Sequence, residues 1–227
     1  MIVVTAAGGT PDDCAIYRRI IEAQQKKCTE YGYRHLVFDL GGLGFGEPHT
    51  VPASDFRLQV NGDSLPAATF KAALIECAMK EVKPDEGVCW LDADCIPLQR
   101  FNPLVSFDGM DAAVTLRSAP EVGLSNNPAL DYLNSGVVWI RNSKRGALFA
   151  EAWRMESLVM QTDQGALNEI VAPRVHQTVT WNAMRGKVHD RVLVLDCAEW
   201  NSWHPPFTGA RIAHFKRGIR AQAVNYL

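Results

Sequence analysis

The opening of the chain alternates strand and helix, and that order restricts the fold more than any other feature. Ile2–Ala6 (IVVTA) reads as a buried strand. Thr10-Pro11-Asp12-Asp13 then starts a helix, with Thr10 as the cap, Pro11 at the first helical position and two acids in the first turn. This helix is predicted to reach about Gly32, and Arg34–Leu40 (RHLVFDL) is the next strand. Phe70, Leu74, Cys77 and Ala78 recur at helical spacing, which predicts a helix over about Pro66–Val82, followed by a strand at GVCWLD. Strand, helix, strand in succession implies a parallel sheet with helices on both faces. Such sheets hold ligands beyond the carboxyl ends of their strands. Those ends are Thr5–Gly9, Asp39–Gly44 and Asp92–Asp94, and all three are expected to open on one crevice.

The rest of the chain is compatible with one α/β domain of 227 residues. Gly41–Gly46 (GGLGFG) reads as a loop, residues near 50–63 as irregular, Asp111–Arg117 as a strand and Ser118–Asn134 as a long loop. Ser135–Asn142 is predicted to be a strand, Lys144–Met160 and Asp163–Val171 helices, and Arg191–Asp196 and Arg211–Phe215 short strands. No repeat or low-complexity segment interrupts this order.

Composition excludes several classes. A formal charge of −2 gives no sign of a nucleic-acid partner. No segment approaches the roughly 20 apolar residues of a membrane span. The N-terminus has no basic region and reads as a strand already in the fold, so a cytoplasmic protein is expected. The six cysteines form no C-x-x-C pair, which argues against a zinc site and for reduced, mostly buried thiols. Neither a dinucleotide fingerprint, a P-loop nor G-x-S-x-G is present. Gly8-Gly9 before the first helix reads equally as a phosphate contact and as an ordinary tight turn.

The chemistry concentrates at VCWLDADCIPL, Val88–Leu98, where an apolar run ends in Asp92 and Asp94. Along an extended chain the two side chains point the same way and can reach one hard cation. The tripeptide alone is as well explained by two solvated loop acids; the preceding buried-type strand and Pro97 favour a ligand-binding strand end. Three later stretches join them. YLNSGVVWIRN offers Asn134, Ser135 and Gly136 just before a strand. TDQGALNEI starts a helix with Asp163 and Gln164, and Asp163 reads equally as a cap. RIAHFKRG ends a strand in His214, followed by Lys216, Arg217 and Arg220; taken alone, His214 reads better as a structural histidine.

In this order, Asp-x-Asp after a strand, LNSGVVWIRN, DQGALN and a near-terminal AHFKRG resemble the GT-A glycosyltransferases, most of all the retaining, family-8-like nucleotide-sugar transferases. VFDLGGLG resembles the second strand and loop of that group, so the likeness spans about Ile2–Gly218. The resemblance implies a single GT-A domain, with residues 1–94 as a nucleotide-binding half and 95–227 as a sugar- and acceptor-binding half. It implies a divalent cation, Mn²⁺ or Mg²⁺, between the chain and a nucleotide-sugar donor, most often a UDP-sugar. By that likeness Asp94 and His214 bind the metal, and Asp92 binds metal or ribose. Thr5, Ala6, Ala7 and Ala93 lie along the nucleotide, and Lys71 near the donor sugar. Asn134 and Ser135 also belong to the donor site, and Asp163 and Gln164 act on the transferred sugar. The family motif H-x-x-G-x-x-K is one residue longer to the glycine here, so Lys216, Arg217 and Arg220 all remain candidates for the diphosphate.

The residues suit that chemistry on their own account. Cleavage of a sugar–diphosphate bond leaves negative charge on phosphate, which a cation held by carboxylates neutralises. An imidazole ligand favours Mn²⁺ over Mg²⁺. Retention, preferred on resemblance, requires no opposed base; inversion would make Asp163 the base. Two other readings compete. A haloacid-dehalogenase-type phosphohydrolase also carries Asp-x-Asp after a strand, but this chain has no adjacent acidic pair after Asp94. A non-catalytic nucleotide-sugar-binding module would share the site. The acceptor is not readable, although Trp181, Trp200, Trp203, His49 and Asp55 are candidates to face it, and nothing fixes the oligomeric state.

Overall fold

The structure, a computed structural model, describes residues 1–7, 11–40, 59–60, 63–64, 70–106, 109–118, 132–171, 191–203, 205–216, 220, 222–223 and 226. Gly8-Gly9, the Thr10 cap, the Gly41–Gly46 loop, the predicted start of a helix at Pro66, His49, Asp55, Trp181, Arg217 and Gly218 lie outside them.

In chain order the elements are β1 (Ile2–Ala7), α1 (Pro11–Glu30), β2 (Arg34–Asp39), β3 (Gln59–Val60), β4 (Asp63–Ser64), α2 (Lys71–Met79), β5 (Gly87–Leu91) and β6 (Cys95–Pro97). Then follow α3 (Pro103–Ser106), β7 (Ala112–Leu116), β8 (Leu133–Arg141), α4 (Lys144–Met160), α5 (Asp163–Val171), β9 (Val192–Leu195), α6 (Cys197–Trp200) and β10 (Ile212–His214). Helices α4 and α5 have the predicted bounds. Helix α2 is described from Lys71 and ends at Met79, three residues before the predicted Val82, and β6, α3 and α6 are too short to leave a periodic signal.

Six strands form one sheet in the order β2-β1-β5-β8-β7-β9. β1 is parallel to β2 and β5, and β7 to β9, while β8 runs antiparallel to both β5 and β7. The sheet is therefore mostly parallel in direction, with one reversed strand. Side chains alternate between two cores. Val4, Trp90, Val114 and Val138 face α2, α4 and α5, and Val3, Cys89, Ala113 and Trp139 face Cys28, Phe101, Trp200 and Ile212. Burial on both faces is why β5 reads as an unbroken apolar run, GVCWL. None of the six cysteines is in a disulfide and four are buried; burial pushes the Cys28 thiol up to about 12. No helix among the described residues is long and apolar enough to cross a membrane.

Two features bring the site together. The reversed strand β8 starts at the edge where β5 and β7 end, so Asn134 pairs with Thr115 and Val137 with Leu91. The register jumps from Val114↔Val138 to Thr115↔Asn134, which leaves Ser135, Gly136 and Val137 bulged away from β7. Leu133 and Asn134 thus lie inside the strand, which begins two residues before the predicted start at Ser135; the bulge hides the strand's beginning from a period-2 pattern. The second feature is the β6–β10 ribbon, which pairs Cys95 with His214 and so fixes the histidine beside the aspartates.

Candidate active site

β5 ends at Leu91, and the amide of Asp92 makes one further bond to Gly136 O at 2.8 Å. The chain then turns: Cys95 N donates to Asp92 O at 2.9 Å and Phe215 N to Asp94 O at 2.7 Å. This turn presents two carboxylates to one imidazole. His214 Nε2 lies 3.0 Å from Asp94 Oδ1 and 3.9 Å from Asp92 Oδ2. Asp94 and His214 are buried, and Asp92 is partly exposed.

The orientation of the histidine is determined by its other nitrogen. Nδ1 is 2.8 Å from Asn201 Oδ1, and Asn201 Nδ2 donates to Thr115 Oγ1 at 2.9 Å. An amide oxygen only accepts, so Nδ1 carries a proton, and Nε2 is the ring nitrogen left facing the aspartates. Gly136 makes this approach possible. A Cβ there would collide with His214 Cε1 and lie 2.8 Å from Asn134 Oδ1 and 2.9 Å from Asp92 Oδ2.

Asp94 and His214 offer an oxygen and a nitrogen donor 3.0 Å apart, with Asp92 Oδ2 3.9 Å from the same nitrogen, and this mixed O/N set suits a divalent cation. Cys95 Sγ lies in the same cluster, within 4.8 Å of the Asp94 and His214 donor atoms. Burial drives its thiol ionisation well up, and Sγ donates to Gly136 O at 3.8 Å. Burial alone would raise the Asp94 carboxyl as well. There His214 and Arg220 outweigh burial and hold it well below the usual carboxylate range, with Arg220 Nε 2.9 Å from Asp94 Oδ2.

Lys71, at the start of α2, bridges two halves of the site. Its Nζ is 2.6 Å from Asp92 Oδ1, 2.8 Å from Asp163 Oδ2 and 3.3 Å from Ser135 O and Oγ. Burial would lower this ammonium's pKa, but Asp163 and Asp92 outweigh it and raise it, so the lysine stays charged. Asp163 opens α5 and is buried, with its carbonyl accepting from Trp153 Nε1 at 2.8 Å. Asn168, a turn later, accepts from the amides of Tyr132 and Leu133 at 2.9 Å each, which ties α5 to the start of β8.

Two crevices meet at the aspartates. One, of about 190 Å³, is lined by Ala6, Ala7, Tyr17, Leu40 and Ala93. The other, of about 330 Å³, is lined by Arg117, Asn134, Ser135, Gln164, Trp203 and Lys216. Asp92, Asp94 and Arg220 border both. Nearly all the expected site residues therefore converge. Thr5 does not: it is fully buried, with its hydroxyl bonded to Gln24 Oε1 at 3.0 Å, because it sits two residues too deep in β1 to reach the strand end. Of the basic residues after His214, Lys216 and Arg220 reach the crevices. Trp200 is core, edge-on to Trp139 at 5.5 Å, whereas Trp203 lines the larger crevice and donates to Ser118 Oγ at 2.6 Å.

Sequence reasoning missed Tyr17, Gln24, Arg117 and Asn201. Gln24 left a readable signal, since it falls between Ile20 and Cys28 on the buried stripe of α1. A polar residue there needs a buried partner.

Comparison with known proteins agrees with this fold. Residues 84–213, more than half of the chain, match the sequence model of the nucleotide-diphospho-sugar transferases. No curated protein sequence matches. Among solved structures, a glycosyltransferase involved in glycosylation of the major capsid of PBCV-1 superposes with a TM-score of 0.59 at 15% identity, over 99% of this chain and 97% of that one. The galactosyltransferase LgtC, solved with donor and acceptor sugar analogs, gives 0.54 at 15% identity over 100% and 93%. GlyE of Streptococcus pneumoniae gives 0.54 at 17% identity over 99% and 59%. These three share the GT-A fold with the present chain.

Proposed function

The chain belongs to the nucleotide-diphospho-sugar transferases and is a glycosyltransferase, and on that premise we propose that it moves a sugar from a UDP-sugar to a hydroxyl acceptor, with retention, using a divalent cation held by Asp92, Asp94 and His214. The observation that carries this reading is the convergence of those three side chains where the two crevices meet. The smaller crevice, with Ala6, Ala7, Ala93 and Tyr17, takes the nucleoside. The larger one, with Asn134, Ser135 and Gln164, takes the sugar.

In the reaction the anomeric C–O bond to the β-phosphate breaks, the acceptor oxygen replaces it, and the acceptor's hydroxyl proton leaves with the departing phosphate oxygen. The bound cation supplies charge neutralisation at the departing diphosphate. Arg220, which borders both crevices, and Lys216, which lines the larger, add positive charge to the same group. Lys71 and Asp163 form a buried pair beside the sugar pocket. An Asp163 carboxylate committed to that ammonium suits orienting the sugar and balancing a developing cation, which supports retention over base-assisted inversion. Gln164, neutral and on the first turn of α5, is positioned to hydrogen-bond the sugar.

Calorimetry of UDP binding with and without Mn²⁺ tests this reading. Wild-type protein is expected to bind UDP more tightly with Mn²⁺, and Asp94→Ala to lose that gain while keeping its far-UV circular dichroism. Unchanged Mn²⁺-dependent affinity in Asp94→Ala would refute the metal site.

A further inference from the structure

A buried chain of three side chains runs from β2 through β1 and α1 to the Asp92–Cys95 turn, and its direction can be deduced from one end. Gln24 is fully buried, and its Nε2 lies 2.9 Å from Asp92 O and 2.7 Å from Cys95 O. Two carbonyls can only accept, so both amide hydrogens are spent on them. Gln24 Oε1 must then accept, and it does so from Thr5 Oγ1 at 3.0 Å. The Thr5 hydroxyl, having donated, accepts from His35 Nε2 at 3.1 Å. Every proton in the relay His35→Thr5→Gln24→turn thus has one place to go.

The two carbonyls at the receiving end are those of the first and last residues of the turn that carries both aspartates. One rigid amide spans the turn, fixing its rotation about the axis of β5 and hence where Asp92 and Asp94 aim. Asp92 O also accepts from Cys95 N, so both of its lone pairs are used. Trp90 Nε1 donates to Asp92 Oδ1 at 2.8 Å, which makes that indole a reporter of the aspartate's position.

We infer that Gln24 is a positioning residue: through its two bonds to the Asp92–Cys95 turn, and held in turn by Thr5 and His35, it sets the aspartate pair in its ligand-binding arrangement. The inference rests on the proposed function for its catalytic meaning, but not for its geometric content. Losing an outer support of this kind typically weakens metal binding about 10–100-fold.

The test compares Gln24→Met, which keeps length and volume but has no donors, with the core variant Leu36→Ala, which removes buried apolar volume and no hydrogen-bonding side chain. Two quantities are read: solvent-exchange protection of the Trp90 indole proton by ¹⁵N NMR without ligand, and Mn²⁺-dependent UDP affinity by calorimetry. Gln24→Met is expected to lose at least about 10-fold in both, with the Trp153 indole, bonded to Asp163 O, unchanged. Leu36→Ala should move neither, even at an equal or larger drop in Tm. Thr5→Val, which removes only the hydroxyl that fixes the amide, should give the same signature at smaller amplitude and serves if Gln24→Met does not fold. Wild-type Trp90 protection in the folded variants, or equal losses in Leu36→Ala, would overturn the inference. A wild-type protein that binds no Mn²⁺–UDP would instead overturn the functional reading, while the Trp90 signal would still decide the role of Gln24.

Discussion

At the scale of single residues, the site depends on one absent side chain and on one histidine nitrogen. Gly136 leaves the space in which His214, Asn134 and Asp92 approach one another. Gly136→Ala should force at least one of them aside, lowering stability by about 1–3 kcal/mol, the usual cost of overpacking. It should also weaken Mn²⁺-dependent UDP binding. Thermal melting and calorimetry on the same variant check both, and an unchanged affinity would mean that the crowding does not govern the site. His214→Ala separates a ligand from a structural histidine. If Nε2 completes the metal shell, the loss should be large for UDP with Mn²⁺ and small for UMP, whereas equal losses would point to packing alone. Asp92, Asp94 and His214 were grouped through the resemblance of the ordered motifs, since taken singly the aspartates read equally as loop acids and His214 better as a structural histidine. Asn201, which holds the histidine's Nδ1, was not, since a lone asparagine between two tryptophans carries no local pattern.

Elements explain what the sequence left legible and what it hid. Helices α4 and α5 were readable to the residue because each carries a strong start: Ser143 accepts from Gly146 N at 3.0 Å, and Asp163 opens the first turn of α5. β8 was misplaced by two residues because its bulge breaks alternation where it matters for function. The β6–β10 ribbon was invisible as a pairing, since three-residue strands far apart in sequence have no periodicity, yet it brings His214 to the aspartates. α5 carries a test of its own. Gln164→Ala should leave UDP affinity nearly unchanged and lower turnover of the sugar nucleotide by roughly 10–100-fold. Asp163→Asn should cost more, because it also leaves the buried Lys71 ammonium with one carboxylate partner instead of two. Melting and donor hydrolysis measured together distinguish this from a mere cap, for which asparagine serves as well as aspartate and both stability and turnover would be spared.

For the molecule as a whole, the relay behind the aspartates predicts how stability varies with pH. His35 Nδ1 is buried without a hydrogen bond among the described residues, and burial pushes the ring's pKa from 6.5 down to about 4. Above about pH 6.5 His35 is neutral both folded and unfolded and contributes no slope. As pH falls from there, the unfolded chain takes up a proton that the folded protein refuses, so stability declines, and the decline ends near pH 4, where the folded ring is also charged. The loss across that window is at most about 3 kcal/mol, an upper bound because part of the residue is exposed. Asp94 acts in a different window. Its carboxyl is held well below the ordinary range, so its contribution is complete above about pH 4 and is lost only on further acidification. Urea unfolding at pH 7.5 and pH 5 therefore isolates the histidine. Wild-type stability should fall between these points, and His35→Gln, which keeps an N–H donor for Thr5 but cannot titrate, should remove most of that difference. An equal pH dependence in the variant would show that the buried histidine is not its source.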